Sequence, residues 1–205
     1  MPDFSHESSH SGIIAGVDEA GCGPLAGPVV AAAAILNIKS IPEGINDCKK
    51  LQRGERERLF GEIMVHAHIG VGIASVGEID TLNIWGATKL AMLRAVQALT
   101  IQPDMALVDG KRKPELPCSI TTIIGGDGKS LSIAAASIIA KVTRDRIMRA
   151  LAEECPHYGW ERNAGYGTAQ HYEALAAHGV THHHRKSYAP IRGMLEATQL
   201  HALSS

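Results

Sequence analysis

Asp18 in GVDE, Asp109 in LVDG and Asp127 in IIGGD share one context: each follows an apolar, strand-like run and stands beside glycine or a turn. Strands that are neighbours in one sheet would bring the three carboxylates to one edge, where their mutual repulsion is costly unless a divalent cation sits among them. Hard oxygen donors without partnering His or Cys select Mg²⁺ or Mn²⁺ over Zn²⁺, and such centres commonly act on phosphate esters. Aspartate is also an ordinary turn and helix-start residue; three in the same setting are harder to assign to punctuation. Glu19 follows Asp18 directly, and successive strand residues point to opposite faces. If the strand runs through Glu19, its side chain is aimed away from that of Asp18 and its backbone carbonyl is the group on hand. If the strand stops at Asp18, the side chain is free to swing round.

Beyond these acids lies the loop Gly21-Cys22-Gly23-Pro24. Glycines let a ligand approach the main chain and let amide N–H groups form an anion-binding concavity. A dinucleotide fingerprint does not fit, because the third glycine is displaced to Gly27 and Pro28 opens a Val/Ala run that reads as a strand where the motif needs a helix. GDGKS at 126–130 imitates the end of a P-loop, but Ile123 occupies the position of its first glycine.

The elements that must position these groups alternate. Apolar runs at 13–18 and 28–36 read as two strands joined as a hairpin, with a third strand at 68–75. Leu82, Trp85, Leu90, Leu93 and Val96 recur at helical spacing and predict a helix over 81–99, ending before Pro103. Residues 105–109 and 119–124 read as buried strands and 131–151 as a long helix, which is an α/β pattern. From about residue 155 the chain changes to loops and short helices rich in Tyr, His, Gly and Arg, a helical C-terminal appendage. Residues 1–12, MPDFSHESSHSG, lack the basic start and apolar stretch of a secretory signal and read as a disordered lead to a single domain at 13–205.

The 205 residues are 45% hydrophobic and contain no apolar run near the ~18 residues of a membrane span, so no membrane association is expected. Cys22, Cys48, Cys118 and Cys155 form no CxxC pair, which argues against a zinc knuckle or redox motif and for a reduced cytoplasm. A formal net charge of −1 gives no whole-molecule attraction to polyanions. Local clusters do: Lys49, Lys50 and Arg53; residues 111–113; residues 141–149; Arg185 and Lys186 each lie near a motif. Cys155 and His157 are spaced like metal ligands but lack a second pair, and His182, His183 and His184 read as a solvated loop.

Taken in order, GVDEAGCGPLAGPVVAAA, DCKKL (47–51), NIWGATKLAM (83–92), LVDG (107–110), GDGKSLSIAAASIIAKVTRD (126–145), GYGTAQH (165–171) and HRKSYAP (184–190) resemble bacterial ribonuclease HII over roughly residues 13–190. The resemblance implies a ribonuclease H-like α/β fold, with a mixed central sheet flanked by helices and a helical C-terminal extension. It also implies hydrolysis of RNA paired with DNA, including nicking 5′ of single ribonucleotides embedded in duplex DNA. Asp18, Glu19, Asp109 and Asp127 match the family's four acids, which hold two divalent ions, Mn²⁺ or Mg²⁺, and leave 3′-hydroxyl and 5′-phosphate ends. The backbone of Gly21, Cys22 and Gly23 then reads a 2′-hydroxyl, and Tyr166 packs on the sugar where RNA gives way to DNA. Lys49, Lys50, Asn83 and Lys141 are candidates for phosphate or DNA-strand contacts. The partner is nucleic acid, and a monomer is expected. Three positions depart from the family's usual residues: Cys22 for arginine, Cys48 for serine and Gly86 for glutamine. They bear on affinity and substrate preference. The rival readings are a nuclease of the same fold restricted to long hybrids and a hybrid-binding module without turnover.

Overall fold

The run VVAAAAIL at Val29–Leu36 is apolar at every position and buried at every position, so a strand made of it must be covered on both faces. Its odd-numbered residues Val29, Ala31, Ala33 and Ile35 join one core cluster with Ala91, Met92 and Ala95. Its even-numbered residues Ala32, Ala34 and Leu36 join a second with Leu59, Ile63, Ala135, Ile138 and Ile139. The small side chains let the helices lie almost on the sheet: a Cβ on Gly16 would come within 2.0 Å of the Ser132 carbonyl carbon.

The computed structural model describes residues 1–203, with side chains through residue 200; residues 204 and 205 of the expected 13–205 domain lie outside the described residues. In chain order the elements are α1 (Ser5–Ser8), β1 (Ile14–Ala20), β2 (Val29–Leu36), α2 (Arg53–His66), β3 (Ala67–Ala74) and α3 (Val76–Gln97). They continue with β4 (Met105–Asp109), β5 (Ser119–Ile123), α4 (Leu131–Glu154), α5 (Trp160–Asn163), α6 (Ala169–His178) and α7 (Ala189–Leu203). The sheet order is β3-β2-β1-β4-β5. β1 pairs antiparallel with β2 and β2 with β3, while β1 is parallel to β4 and β4 to β5. With α3 on one face, α2 and α4 on the other, and helices after residue 155, this is the expected mixed α/β sheet with a helical C-terminal region. No described helix is long and apolar enough to cross a membrane.

Differences from the sequence reading have local causes. α2 was not foreseen, because only Leu59 and Ile63 of RGERERLFGEIMVH are buried and six charges obscure the apolar stripe. α3 starts at Val76, five residues before the expected helix, on a Ser75–Glu78 capping box. It breaks at Asn83, whose φ of 59° and ψ of 172° are not helical. β1 continues past Asp18 to Ala20.

The first twelve residues are not a free lead. Asp3 bridges to Ser130, and Glu7, 3% exposed, accepts hydrogen bonds from Ser130 Oγ at 2.6 Å and from the Ser132 N–H at 2.8 Å. The carboxylate thereby serves an N–H in the first turn of α4, where a helix dipole favours negative charge. Composition suggested disorder because the segment's anchoring acid has its partners more than a hundred residues away. Glu7→Ala leaves those partners buried without an acceptor, and should lower unfolding free energy by about 1–3 kcal/mol, measured by urea denaturation; a midpoint unchanged from the parent would show that the segment carries no load.

Candidate active site

β1 and β4 are parallel, and their last shared rung pairs Val17 with Val108. The next residues, Asp18 and Asp109, therefore stand side by side on the same face of neighbouring strands, the one covered by α4. Asp109 accepts the Gly126 N–H at 2.6 Å through Oδ1, which ties it to the 3₁₀ turn Gly126–Gly128 that carries Asp127. Asp18 is 5% exposed and accepts the Glu19 N–H at 2.7 Å. Burial, then the Glu19 and Asp109 charges, push the Asp18 carboxyl well above the usual carboxylate range, against a hydrogen bond from Ser137. Burial and Asp109 also raise Glu19.

Glu19 follows the alternation argument. Because β1 continues through it, its side chain lies on the α3 side with Ala15 and Val17. There the Cys22 thiol donates to Oε1 at 3.6 Å and sits 3.4 Å from Thr88 Oγ1. The Cys22 side chain is thus turned inward, and burial followed by the Glu19 charge raises its pKa to about 11, so the thiol keeps its proton.

Asp18, Glu19, Gly21, Cys22, Gly23, Lys49, Asp109, Lys141 and Tyr166 line one cleft of about 310 Å³, shared with Cys48, Ser137 and Arg144. Asp127 is adjacent and 5% exposed, and its Oδ2 accepts from Lys49 Nζ at 3.1 Å. That hydrogen bond raises the Lys49 ammonium to about 12. Lys141 is paired with Asp145 at 2.8 Å. Lys50 and Asn83 are outside this lining. Lys50 faces Asp47 at 3.8 Å, and Asn83 Oδ1 accepts the Trp85 and Gly86 N–H groups at 2.9 and 3.2 Å, capping the second half of α3.

The loop beyond Glu19 is held from beneath by two buried guanidiniums. Arg185, 0% exposed, donates to the carbonyls of Gly21 at 2.6 Å, Cys22 at 3.0 Å, Gly27 at 3.0 Å and Pro28 at 3.3 Å. Arg144, 1% exposed, donates to those of Pro28 at 2.9 Å, Ala26 at 3.0 Å and Ala164 at 2.9 Å. Gly21 has φ +99°, and a Cβ there would come within 2.0 Å of Arg144 Nε. With the carbonyls directed inward, no described hydrogen bond uses the N–H of Cys22 or Gly23. Tyr166, 48% exposed, stands over Gly23, where a Cβ would be 3.4 Å from its ring.

The sequence model for Ribonuclease HII matches residues 15–191. The chain belongs to the ribonuclease HII family. It is 54% identical over 202 residues to the ribonuclease HII of Gluconobacter oxydans, covering 96% of this chain and 98% of that one. It is 56% identical over 185 residues to that of Magnetococcus marinus, covering 89% and 87%. Among solved structures it resembles ribonuclease H2 from Pyrococcus horikoshii, with a TM-score of 0.76, 27% identity and coverage of 91% and 98%. It also resembles the ribonuclease HII of Archaeoglobus fulgidus, solved in a complex with PCNA, with a TM-score of 0.73, 28% identity and coverage of 86% and 95%. As a ribonuclease HII this chain is a metal-dependent hydrolase with ribonuclease H activity on RNA–DNA hybrids.

The donor set fits a hard divalent ion. In the cleft the Glu19 and Asp109 charges add to burial in raising Asp18, and Asp109 does the same to Glu19, a repulsion that a cation relieves. Among the described residues no three His, Cys, Asp or Glu side chains are already closed around one point. Magnesium-type ions are commonly bound by one or two carboxylates, completed by water and substrate phosphate, which is the arrangement an open cleft allows. Sequence reasoning missed Ser137, and it left Arg144 and Arg185 inside basic clusters as surface charge. Ser137, Lys141 and Arg144 at i, i+4 and i+7 put the three on one face of α4, a signal present in the sequence. His184, expected in solvent, is fully buried.

Because the folded-state pKa of Asp18 is raised, its own contribution to the stability of chelated protein is fully present below the unfolded pKa of about 3.8 and is lost as pH rises through the folded value. Asp18→Asn should remove that loss, raising the melting temperature of chelated protein at pH 8 but not at pH 4, with ~1 kcal/mol corresponding to about 2–4 °C. Mg²⁺ should stabilise the parent at pH 8 more than the variant. Parallel melting curves at the two pH values would refute the assignment.

Proposed function

We propose that this ribonuclease HII nicks duplex DNA 5′ of single embedded ribonucleotides as well as cutting longer RNA–DNA hybrids, leaving 3′-hydroxyl and 5′-phosphate ends. The observation that carries the reading is a convergence in one cleft: buried carboxylates, a glycine loop with free N–H groups, and an exposed tyrosine standing over that loop. Asp18 and Asp109 are assigned as metal ligands, with Glu19 reaching the site from the opposite side of β1 and Asp127 completing the set when Lys49 turns to a phosphate. Two Mn²⁺ or Mg²⁺ ions at these carboxylates would supply water activation and charge stabilisation at the scissile phosphate.

The protein's own groups supply recognition. Cys22 and Gly23 line the cleft, and their N–H groups are assigned to address a ribose 2′-hydroxyl, which DNA lacks. Two guanidiniums beneath the loop add positive potential without occupying its ligand face. Lys49 and Lys141 line the cleft as phosphate contacts, whereas Lys50 and Asn83 are assigned to flanking DNA. The Tyr166 ring packs on the sugar following the ribonucleotide. We further assign the enzyme to the cytoplasm as a monomer, with one catalytic domain that includes the extension from about residue 155.

The test is a duplex carrying one ribonucleotide, incubated with purified protein and Mg²⁺ or Mn²⁺ beside an all-DNA control; a single nick 5′ of the ribonucleotide is expected. Binding without cleavage would instead identify a hybrid-binding module.

Asp18→Asn and Asp109→Asn should each abolish nearly all cleavage at saturating metal, a loss of at least about 10²–10³, while substrate binding by gel shift stays measurable. Near-parental turnover in either would remove that residue from the catalytic set.

Tyr166→Ala should reduce cleavage at an isolated ribonucleotide more than within a long RNA stretch, by roughly tenfold, since base or sugar stacking is worth about 1–3 kcal/mol. Equal losses on both substrates would make Tyr166 structural.

A further inference from the structure

An exposed aromatic ring reads a substrate only if its backbone is fixed, and the main-chain N–H and C=O groups of residues 164–166 are all engaged. The Leu25 N–H donates to Gly165 O at 2.8 Å, and the Tyr166 N–H donates to Asn163 O at 2.9 Å. Arg144 holds Ala164 O, and Asn163 Oδ1 accepts the Gly165 N–H at 2.8 Å. Tyr166 O itself accepts the Thr168 N–H at 2.8 Å and lies 2.9 Å from Nδ1 of His171.

His171 is fully buried, and its neighbours fix where its proton sits. A carbonyl only accepts, so Nδ1 carries the hydrogen. The indole N–H of Trp160 only donates, and it meets His171 Nε2 at 3.1 Å, so Nε2 is the acceptor. The same Nε2 lies 3.1 Å from Nε2 of His184, which must therefore be protonated there. The Thr181 N–H, 3.0 Å from His184 Nδ1, requires that atom to accept. All four ring nitrogens have one assignment, and both rings are neutral. Burial lowers His171, and burial followed by His171 lowers His184 to about 4, in agreement.

A buried, satisfied histidine is often no more than core. Here its two ends do different work. One end holds the Tyr166 carbonyl; the other meets His184, next in sequence to Arg185, which holds the carbonyls of the glycine loop opposite the Tyr166 ring. The imidazole pair is a second side-chain link, beside Arg144, between the two walls that face each other at Gly23.

We propose that His171 is a positioning residue for Tyr166: its Nδ1–H fixes the Tyr166 carbonyl, and so the ring's place over Gly23, and thereby sets the preference for isolated ribonucleotides. This inference rests on the reading of Tyr166 as the junction contact.

Two near-isosteres separate the two ends. Asparagine places its amide N–H where Nδ1 was and loses the distal contact; glutamine places its carbonyl where Nε2 was and loses the donor to Tyr166. With kcat and KM measured on a single-ribonucleotide duplex and on a long hybrid, His171→Gln should lower the ratio of kcat/KM values about tenfold. His171→Asn should keep the ratio within about twofold of the parent yet melt at a lower temperature. In the Tyr166→Ala background His171→Gln should not change the ratio further, because the two act as one unit. If Tyr166→Ala lowers the ratio and His171→Gln does not, or if the Asn and Gln variants lower it equally, His171 has no positioning role. If Tyr166→Ala leaves the ratio unchanged, the reading of Tyr166 fails and the inference falls with it.

Discussion

Two guanidinium groups with no carboxylate partner lie buried beneath the glycine loop, and the rest of the cleft depends on how their charge is accommodated. Arg144 and Arg185 are satisfied by seven carbonyl contacts, from Gly21, Cys22, Ala26, Gly27, Pro28 and Ala164, with Pro28 touched by both. Burial lowers both, with the Arg185 charge adding to the effect on Arg144, which is brought to about 10 and is still protonated near neutrality. Desolvating such charges is expensive unless every donor is used. That requirement turns carbonyls inward over the 21–28 segment, while the N–H groups of Cys22 and Gly23 have no described partner. The loop face proposed to meet the substrate is the reverse side of the arginine anchoring.

This arrangement also divides labour between sheet and loop. The parallel pair β1 and β4 delivers Asp18 and Asp109 from adjacent rungs with the rigidity of a ladder covered on both faces. Glu19, one residue on, arrives from the opposite side of the same strand and is held by the Cys22 thiol. A carboxylate cluster of this kind is unstable on its own account. Its cost is borne by the close packing of alanines and glycines that prevents Asp18 from withdrawing toward solvent. Gly16, two residues before Asp18, lets α4 approach, and α4 brings Ser137, Lys141 and Arg144 to the cleft wall.

Much of this was legible in the sequence, because strand-end aspartates announce themselves by an apolar run before and a glycine after. The strand at 105–109 was recovered residue for residue, and the start of α4 at Leu131 likewise. Part of what was hidden shares one physical character: charge whose partner is remote in sequence. Arg144 and Arg185 resemble any basic surface cluster until the carbonyls that bind them are seen. Glu7 resembles a polar tail until Ser130 and the first turn of α4 are beside it. Asn83 reads as a ligand-binding amide, and its Oδ1 has a second use that the sequence did not show, restarting α3 after a left-handed break. α2 escaped because its buried face has two well-buried aliphatic residues in fourteen.

The span between Arg185 and the loop it anchors carries a consequence for biosynthesis. Its bonds to Gly21 and Cys22 cross 164 and 163 residues. A nascent polypeptide therefore has its carboxylate-bearing strands available for pairing long before the turn beside them acquires its carbonyl partners. Contacts of such separation are late to form because the intervening chain must first be ordered. The glycine loop is thus anchored only after residue 185 has been made, so a shorter nascent chain still on the ribosome, close to abundant RNA, holds the acids without the fixed loop beside them.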